Sequence, residues 1–467
     1  MTRYGRPADA FEAAYAAPMV DAAPPAPPEV RREALEGHAL AAPGVPFALK
    51  GYVVTPDVAL ENAYVVVSEG LVADVTTTPP ADVRTIDTGG VIMPGLIDLH
   101  GHPEYNVLAP WEPPKLYQNR YQWRGSREYA EVVRTPWARL TDSPTGEPSL
   151  IKTLTRYAEA RALVGGTTSL QGAGGQYPDP HESLVRNVDR YVFGRYVARS
   201  LIDLGRATPD ALARLKQQIA SGEVKAVYVH LCEGVDESSR AEFDDLVAAG
   251  LLTPATVIIH GTALDDAQLT QVRDAGAKLV WSPQSNLRMY GATTRAARAL
   301  TLGIPTGLGA DWQPSGSPSL LDELQVARRV LRLQGSRVAA KRIVQMVTTD
   351  AARIAALSDR IGRLRRGAPA DVLVLERRHV DPYESILLSD RRGVELVVLG
   401  GDVAYGRRQW VEQLAGPSER ELVVAWGKDM ALDLVYSVIA SDTPPPRLAD
   451  LRAEMVARYP AIGPIFA

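Results

Sequence analysis

From Ser149 to Trp312 short apolar runs alternate with helix-like stretches, and this alternation limits the fold more than any other property of the chain. The runs include TTSLQG, KAVYVHL, TVIIHG, AKLVWSP and PTGLGADW; between them lie SLIKTLTRYAEARAL, DALARLKQQIA, AEFDDLVAAG and DDAQLTQVRDAG. Continuous apolar runs suit strands buried on both faces, and the intervening helices supply the cover. Repeated βα units build a parallel sheet. With Val91 to Leu99 as the first strand, roughly eight units over about 270 residues fit a closed α/β barrel, the TIM-type (β/α)8 barrel, better than an open sheet. RYVFGRYV (190–197) reads as a further strand, and no fourth barrel strand stands out between Tyr191 and Lys225.

The flanks have a different texture. Residues 1–44 form a Pro/Ala-rich N-terminal arm, because proline continues neither helix nor central strand. FALKGYVVTP, NAYVVVSEG and LVADVTT before the barrel, with GAPADVLVLE and ELVVLGGDVAYGRRQW after it, read as strands of one small β-sandwich. The expected organisation is therefore a composite sandwich from 45–90 and 361–414, a barrel over 91–360, and a helical extension over 415–467. Pro103 to Pro148 reads as a long loop carrying Trp111, Trp123 and Trp137, and loops of that length in compact domains are usually functional.

Charge and cysteine content narrow the function. A net charge of −4 on 467 residues exerts no general pull toward nucleic acid or an anionic membrane. The single cysteine, Cys232, excludes an intrachain disulfide framework. No leader opens the sequence and no run of about 18 apolar residues occurs. The expectation is a cytoplasmic protein acting on a small molecule or peptide, with no nucleic-acid or membrane partner; a homo-oligomer remains compatible.

Histidines point to the chemistry. Of the seven, His100, His102, His230 and His260 end apolar strand-like runs, and Asp311 ends GLGAD. Strand carboxyl ends converge on one face of a barrel, where active sites are built. His100 and His102, two residues apart on an extended chain, point to the same side and can chelate one transition metal. His38, His181 and His379 sit in polar or loop-like contexts and are read as structural. Glu233, Asp236 and Glu237 follow His230; by default such loop carboxylates are surface groups. Tyr105, Asn106, Trp111, Asn119, Arg120, Trp123 and Trp312 are candidates to line a substrate site, together with Ser282, Asn286 and the backbone of Ser315 to Ser317. Cys232 is read as a small packing residue.

GLIDLHGH, HLCEG, VIIHGTAL, LVWSPQSN, GLGADW and GAPADVLVL, in that order, resemble the metal-dependent amidohydrolase superfamily over about Phe47 to Val403. Within it the chain is similar to cytosine-deaminase and chlorohydrolase-like members, which pair His-x-His with a later His-x-x-Glu, here His230 and Glu233. YNVLAPW, NRYQW and DWQPSGSPSLLDELQVA also resemble a bacterial branch that includes the follower-peptide-cleaving amidohydrolase of bottromycin pathways. One departure matters: the strand TTSLQGAGG offers Gln171 where two-metal members carry a bridging carboxylated lysine or glutamate.

The resemblance implies one divalent metal held by His100, His102, His230 and Asp311. Zn²⁺ suits that donor set best, with Fe²⁺, Mn²⁺ or Co²⁺ chemically acceptable. It implies a hydrolase cleaving a C–N bond with metal-activated hydroxide. Asp311 takes the proton of the water, His260 orients the water or polarises the attacked group, and Glu233 protonates the departing nitrogen. The expected substrate carries an amide or amidine-like group, as in a peptide tailored in natural-product biosynthesis. The competing readings are an aminohydrolase that deaminates a heterocyclic base, and a scaffold of the same fold that has lost its metal.

Overall fold

The computed structural model describes residues 45–141, 147–172, 183–190, 192–415, 420–434 and 446–466. The arm over 1–44, with His38, and His181 lie outside them. Valine-rich alternation produces the first strands, β1 (Phe47–Val54), β2 (Ala59–Ser68), β3 (Leu71–Thr76) and β4 (Arg84–Pro94). In β2, Ala63, Val65 and Val67 face inward while their neighbours stay partly wet. β1 lies antiparallel to β2 and parallel to β4.

The barrel strands follow: β5 (Leu96–Asp98), β6 (Thr167–Leu170), β7 (Arg186–Asn187), β8 (Ala198–Leu201), β9 (Ala226–Leu231), β10 (Thr256–His260), β11 (Lys278–Trp281) and β12 (Thr306–Leu308). They run in the order β5-β6-β7 and β8-β9-β10-β11-β12, parallel at every pairing. Backbone bonds join the first strand to the last: Leu99 N to Leu308 O at 3.2 Å, Asp311 N to His100 O at 2.8 Å and His102 N to Asp311 O at 3.3 Å. Between β7 and β8 side chains make the connection, Ser200 Oγ donating to Asp189 Oδ2 at 3.1 Å. Helices Pro209–Ala220, Glu237–Ala248 and Asp266–Asp274 cover the outside, each started by a capping side chain from Thr208, Asp236 or Asp265.

The last strands are β13 (Val372–Leu375), β14 (Val394–Leu399), β15 (Asp402–Arg407), β16 (Glu421–Ala425) and β17 (Lys428–Leu432). β13 pairs antiparallel with β4, so segments on either side of the barrel meet. They do so within one nine-stranded sheet, β16-β17-β15-β14-β13-β4-β1-β2-β3, curled so that Leu49, Val65, Val372 and Val398 share a core. Arg186 of β7 fastens this sheet to the barrel through two buried bonds to Asp371, at 3.0 and 2.9 Å.

Three expectations need correction. The fourth barrel strand is Ala198–Leu201, and RYVFGRYV is not a strand: Phe193 (φ 50°) and Gly194 (φ 67°) turn the chain, with Val192 and Arg195 exchanging both backbone bonds. Two central residues at positive φ make a tight reversal, which an apolar run does not reveal. The Trp-rich loop contains helices, Arg120–Arg124 and Thr135–Thr141 among them, because its aromatic side chains have one another to pack against. The segment read as a helical extension first adds β16 and β17, whose short pieces ELVVA and KDMAL form a hairpin; helix Leu448–Arg458 follows. No helix among the described residues is long and apolar enough to cross a membrane.

Candidate functional site

The carboxyl end of the barrel gathers the histidines. His100 is fully buried, its ring centroid 4.9, 4.8 and 5.0 Å from those of His102, His230 and His260. Its Nε2 lies 3.1 Å from Asp311 Oδ1, and His102 Nε2 lies 3.6 Å from the same oxygen. No well-directed hydrogen bond takes up either ring nitrogen of His100. The donor atoms of His100, His102 and His230 all fall within 4.8 Å of one another, and so do those of His100, His260 and Asp311. The structure thus draws His260 closer to the centre than a role confined to orienting water requires.

Electrostatics favour cation binding. Burial, reinforced by His100, pushes His102 down to about 3; burial and the neighbouring rings push His230 and His260 down as well. These shifts favour the neutral ring, the form that ligates metal. Burial alone would raise the Asp311 carboxyl, but His100, His260 and His102 around it hold it well below the usual carboxylate range. Converging imidazoles, one carboxylate and the fully buried His100 fit a divalent cation of the zinc type.

The strand ends are bent to deliver these groups. Cys232 (φ 55°), His260 (φ 66°) and Asp311 (φ 62°) adopt the left-handed conformation without being glycine. Each such residue costs on the order of 1–3 kcal/mol and persists only where the surroundings enforce it. Gly309 lets β12 pass β5: a Cβ there would lie 2.4 Å from His100 Cβ. His260 Nδ1 meets Asn286 Oδ1 at 2.9 Å, which leaves Nε2 facing the cluster. That Nε2 lies 3.7 Å from Glu233 Oε2.

A wall of rings stands over the cluster. Tyr105, Trp123, Tyr129 and Trp312 line the cavity with Arg120, Arg124, Ile202, Glu233, Ser285, Met289 and Ser315, and the cavity is open at its mouth. Trp312 is 5.6 Å from Trp123 and 5.5 Å from Tyr105, centroid to centroid. The Asn119 segment is zipped to the end of β9 by Arg120 N to Glu233 O (3.3 Å) and Val235 N to Gln118 O (2.7 Å). Only glycine fits at Gly234, where a Cβ would lie 2.5 Å from Gln118 O.

Several expected lining residues do other work. Asn106 accepts from Gln313 N at 2.8 Å and so holds the loop after Asp311. Trp111 packs behind the wall, against Tyr117, Trp123 and Tyr129. Asn119 caps helix Arg120–Arg124 and donates to Asp236 at 2.6 Å. Asn286 reaches the cavity only through His260. Arg120 touches the cavity, but its guanidinium is engaged by His230 O, Tyr121 and Glu242. Ser317 bonds Glu323, and Ser282 is buried away from the lining. Cys232 is buried, and burial pushes its thiol up, as befits a packing residue. His379 is exposed and accepts from Asp381 N.

Sequence reasoning missed Arg124, Tyr129, Ile202, Ser285, Met289 and Tyr290. Arg124 directly follows NRYQW and Tyr129 lies a turn or two further on, so lengthening that motif finds them. Tyr290 lies on helix Pro283–Tyr290 behind the strand-end Ser282, with no local mark of function.

Comparison with known proteins agrees with this geometry. Residues 91–404 match the family described as the Amidohydrolase family. The chain is similar to a 5-methylthioadenosine/S-adenosylhomocysteine deaminase of Syntrophobacter fumaroxidans, 26% identical over 356 residues, 68% of this chain and 78% of the relative. It is similar to an 8-oxoguanine deaminase of Pseudomonas aeruginosa, 24% identical over 381 residues, 67% and 81% of the two chains. Among solved structures, a zinc-bound adenosine deaminase from Xanthomonas campestris superposes with a TM-score of 0.60 at 19% identity, covering 76% of this chain and 92% of that one.

Proposed function

The chain belongs to the amidohydrolase family, and on that premise we propose that it is a single-metal hydrolase that removes an amino group from a planar nitrogen heterocycle, a base or nucleoside, as ammonia. The observation that carries the reading is Glu233, held 3.7 Å from His260 beside the histidine cluster and under a wall of aromatic rings. Such rings suit a flat ligand. The named deaminases among the relatives act on substrates of this kind. The names of these relatives are those of deaminases, so the amide reading becomes the alternative.

His100, His102, His230 and Asp311 are proposed to hold the cation, with His260 beside it. A divalent cation there supplies Lewis acidity and a water of lowered pKa. Asp311, ionised, accepts a proton. His260, its Nδ1 engaged by Asn286, turns Nε2 to the reacting centre. Glu233 delivers a proton to the departing nitrogen, which then leaves as neutral ammonia. Trp123 and Trp312 orient the ring of the substrate.

Metal analysis of purified protein and ammonia release from aminopurines, 5-methylthioadenosine and dipeptides test the proposal. The expected result is one metal per chain and ammonia from an amino-heterocycle. Cleavage of amides alone reverses the two readings, and protein with neither metal nor turnover is the scaffold.

A further inference from the structure

Two oxygens of Glu233 meet different surroundings. Oε2 faces His260, and Oε1 receives the hydroxyl of Tyr290 at 2.6 Å. Behind Tyr290 stands Trp123, whose Nε1 lies 2.8 Å from the same hydroxyl oxygen. An indole N–H can only donate. Tyr290 Oη therefore accepts from Trp123, and its own hydrogen points to Glu233 Oε1. The direction of this relay follows from donor inventory rather than from any placement of hydrogens. Tyr290 and Glu233 are both buried. Burial, then the facing Glu233 carboxylate, pushes the Tyr290 hydroxyl well above its ordinary range, so it remains a donor.

We infer that Trp123 and Tyr290 are positioning residues that keep Glu233 Oε1 an acceptor and reserve Oε2, the oxygen facing His260, as the one that carries the proton to the departing nitrogen. This rests on the proton-donor role of Glu233 in the proposed function. In the step, Glu233, which takes up a proton at Oε2 from solvent through the open cavity before each turnover, loses that O–H bond as an N–H bond forms on the leaving nitrogen. The O–H electron pair stays on Glu233, and the C–N pair goes with nitrogen. Tyr290 keeps its proton and stabilises the carboxylate that results. Trp123 also lines the cavity, its ring 5.6 Å from that of Trp312. The surface that a substrate ring presses on is therefore joined to the proton donor through one phenol.

The test uses full-length holoenzyme carrying Tyr290→Phe, Trp123→Phe or Glu233→Gln. The first readout needs no substrate. In ¹⁵N spectra the Trp123 indole N–H is identified by its loss in Trp123→Phe, and it should shift in Tyr290→Phe. An unmoved resonance overturns the relay. The second readout is turnover of heterocycles with an amino or a halide leaving group. Tyr290→Phe should lose roughly 10–100-fold in kcat on the amino substrate, a part of what general acid catalysis supplies, with KM nearly unchanged. The loss should shrink on the halide, which departs without a proton, and the double variant with Glu233→Gln should be no slower than Glu233→Gln alone. Equal losses on both substrates indicate mere structural support and overturn the inference. A wild-type protein that turns over no member of the series sinks the proposed function and the proton delivery with it. A moved resonance with unchanged Tyr290→Phe kinetics overturns the positioning role alone.

Discussion

The cavity has a floor of histidines and a wall of aromatic rings, and the two are built in different ways. Every floor residue stands at or just past a barrel strand, and the backbone ladder sets its position. His260 and Asp311 are held even in left-handed conformations, with Asp311 N bonded to His100 O at 2.8 Å. The wall is drawn from the irregular segment between Pro103 and Thr141 and from Trp312 after β12. Its rings hold one another, as Trp123 does with Tyr129 at 5.1 Å and Trp312 at 5.6 Å. A ladder fixes chemistry and tolerates no change in register. A ring cluster can be repacked, so substrate choice can change with little disturbance of the reaction, except at Trp123, which is tied to Glu233 through Tyr290.

The sharpest way to break this division is to remove the residue on which the floor turns. His100 belongs to both groups of converging donors. His100→Ala should leave dialysed protein without metal and without activity, while a wall variant keeps its metal. Metal content after dialysis checks this, and a His100→Ala protein that retains a full complement would displace the floor from its role. Next in size is Glu233→Gln, which should keep the metal and lose about 10²–10⁴-fold in kcat on a poor leaving group. Normal turnover with the halide substrate and slow turnover with the amine would place the loss in proton delivery.

The same division explains what could be read from sequence. Strand ends announce themselves: KAVYVH and TVIIH stop at a histidine, and GLGAD stops at an aspartate. The barrel and the metal-type floor were legible because a parallel strand is one continuous apolar run. β7 and β8 were not, because Arg186–Asn187 and Ala198–Leu201 are short and carry arginine, asparagine and serine. In the wall, Trp123 and Trp312 stood out by residue type, but so did Trp111, which packs behind them. Sequence does not say which face of an irregular segment looks inward. Tyr290 was silent for the same reason, being one residue of an ordinary helix until its hydroxyl is seen against Glu233.

A substitution in the wall should accordingly act on binding more than on chemistry. Trp312→Ala removes ring contacts worth about 0.5–1.5 kcal/mol, which corresponds to roughly 2–13-fold in affinity for a flat substrate. KM should rise by that order with metal content unchanged. A loss confined to kcat would mean that the ring orients the reacting groups, and the line between floor and wall would move.

Glu323 tests whether floor and wall are mechanically separate. It is fully buried on helix Leu320–Leu333. It accepts from Ser317, in the loop that follows Asp311 and Trp312, and from Gln284 N at 3.0 Å, in the helix that bears Tyr290. One carboxyl group thus ties the loop carrying a floor residue to the helix behind the wall. Burial, against the opposing pull of those two bonds, pushes its carboxyl from 4.5 up to about 8. The folded protein therefore binds a proton that the unfolded chain has released between these values. Stability from this group is full at the acid end of that window and is lost as pH rises through it. Glu323→Gln keeps the shape and cannot ionise, so it should flatten the fall in Tm between about pH 5 and 8. Some slope should survive, because burial also pushes Asp98 up to about 7. If the variant's Tm falls with pH as steeply as the wild type's, Glu323 is already ionised in the fold. If Glu323→Gln also lowers kcat, the tie is functional, and floor and wall move as one body.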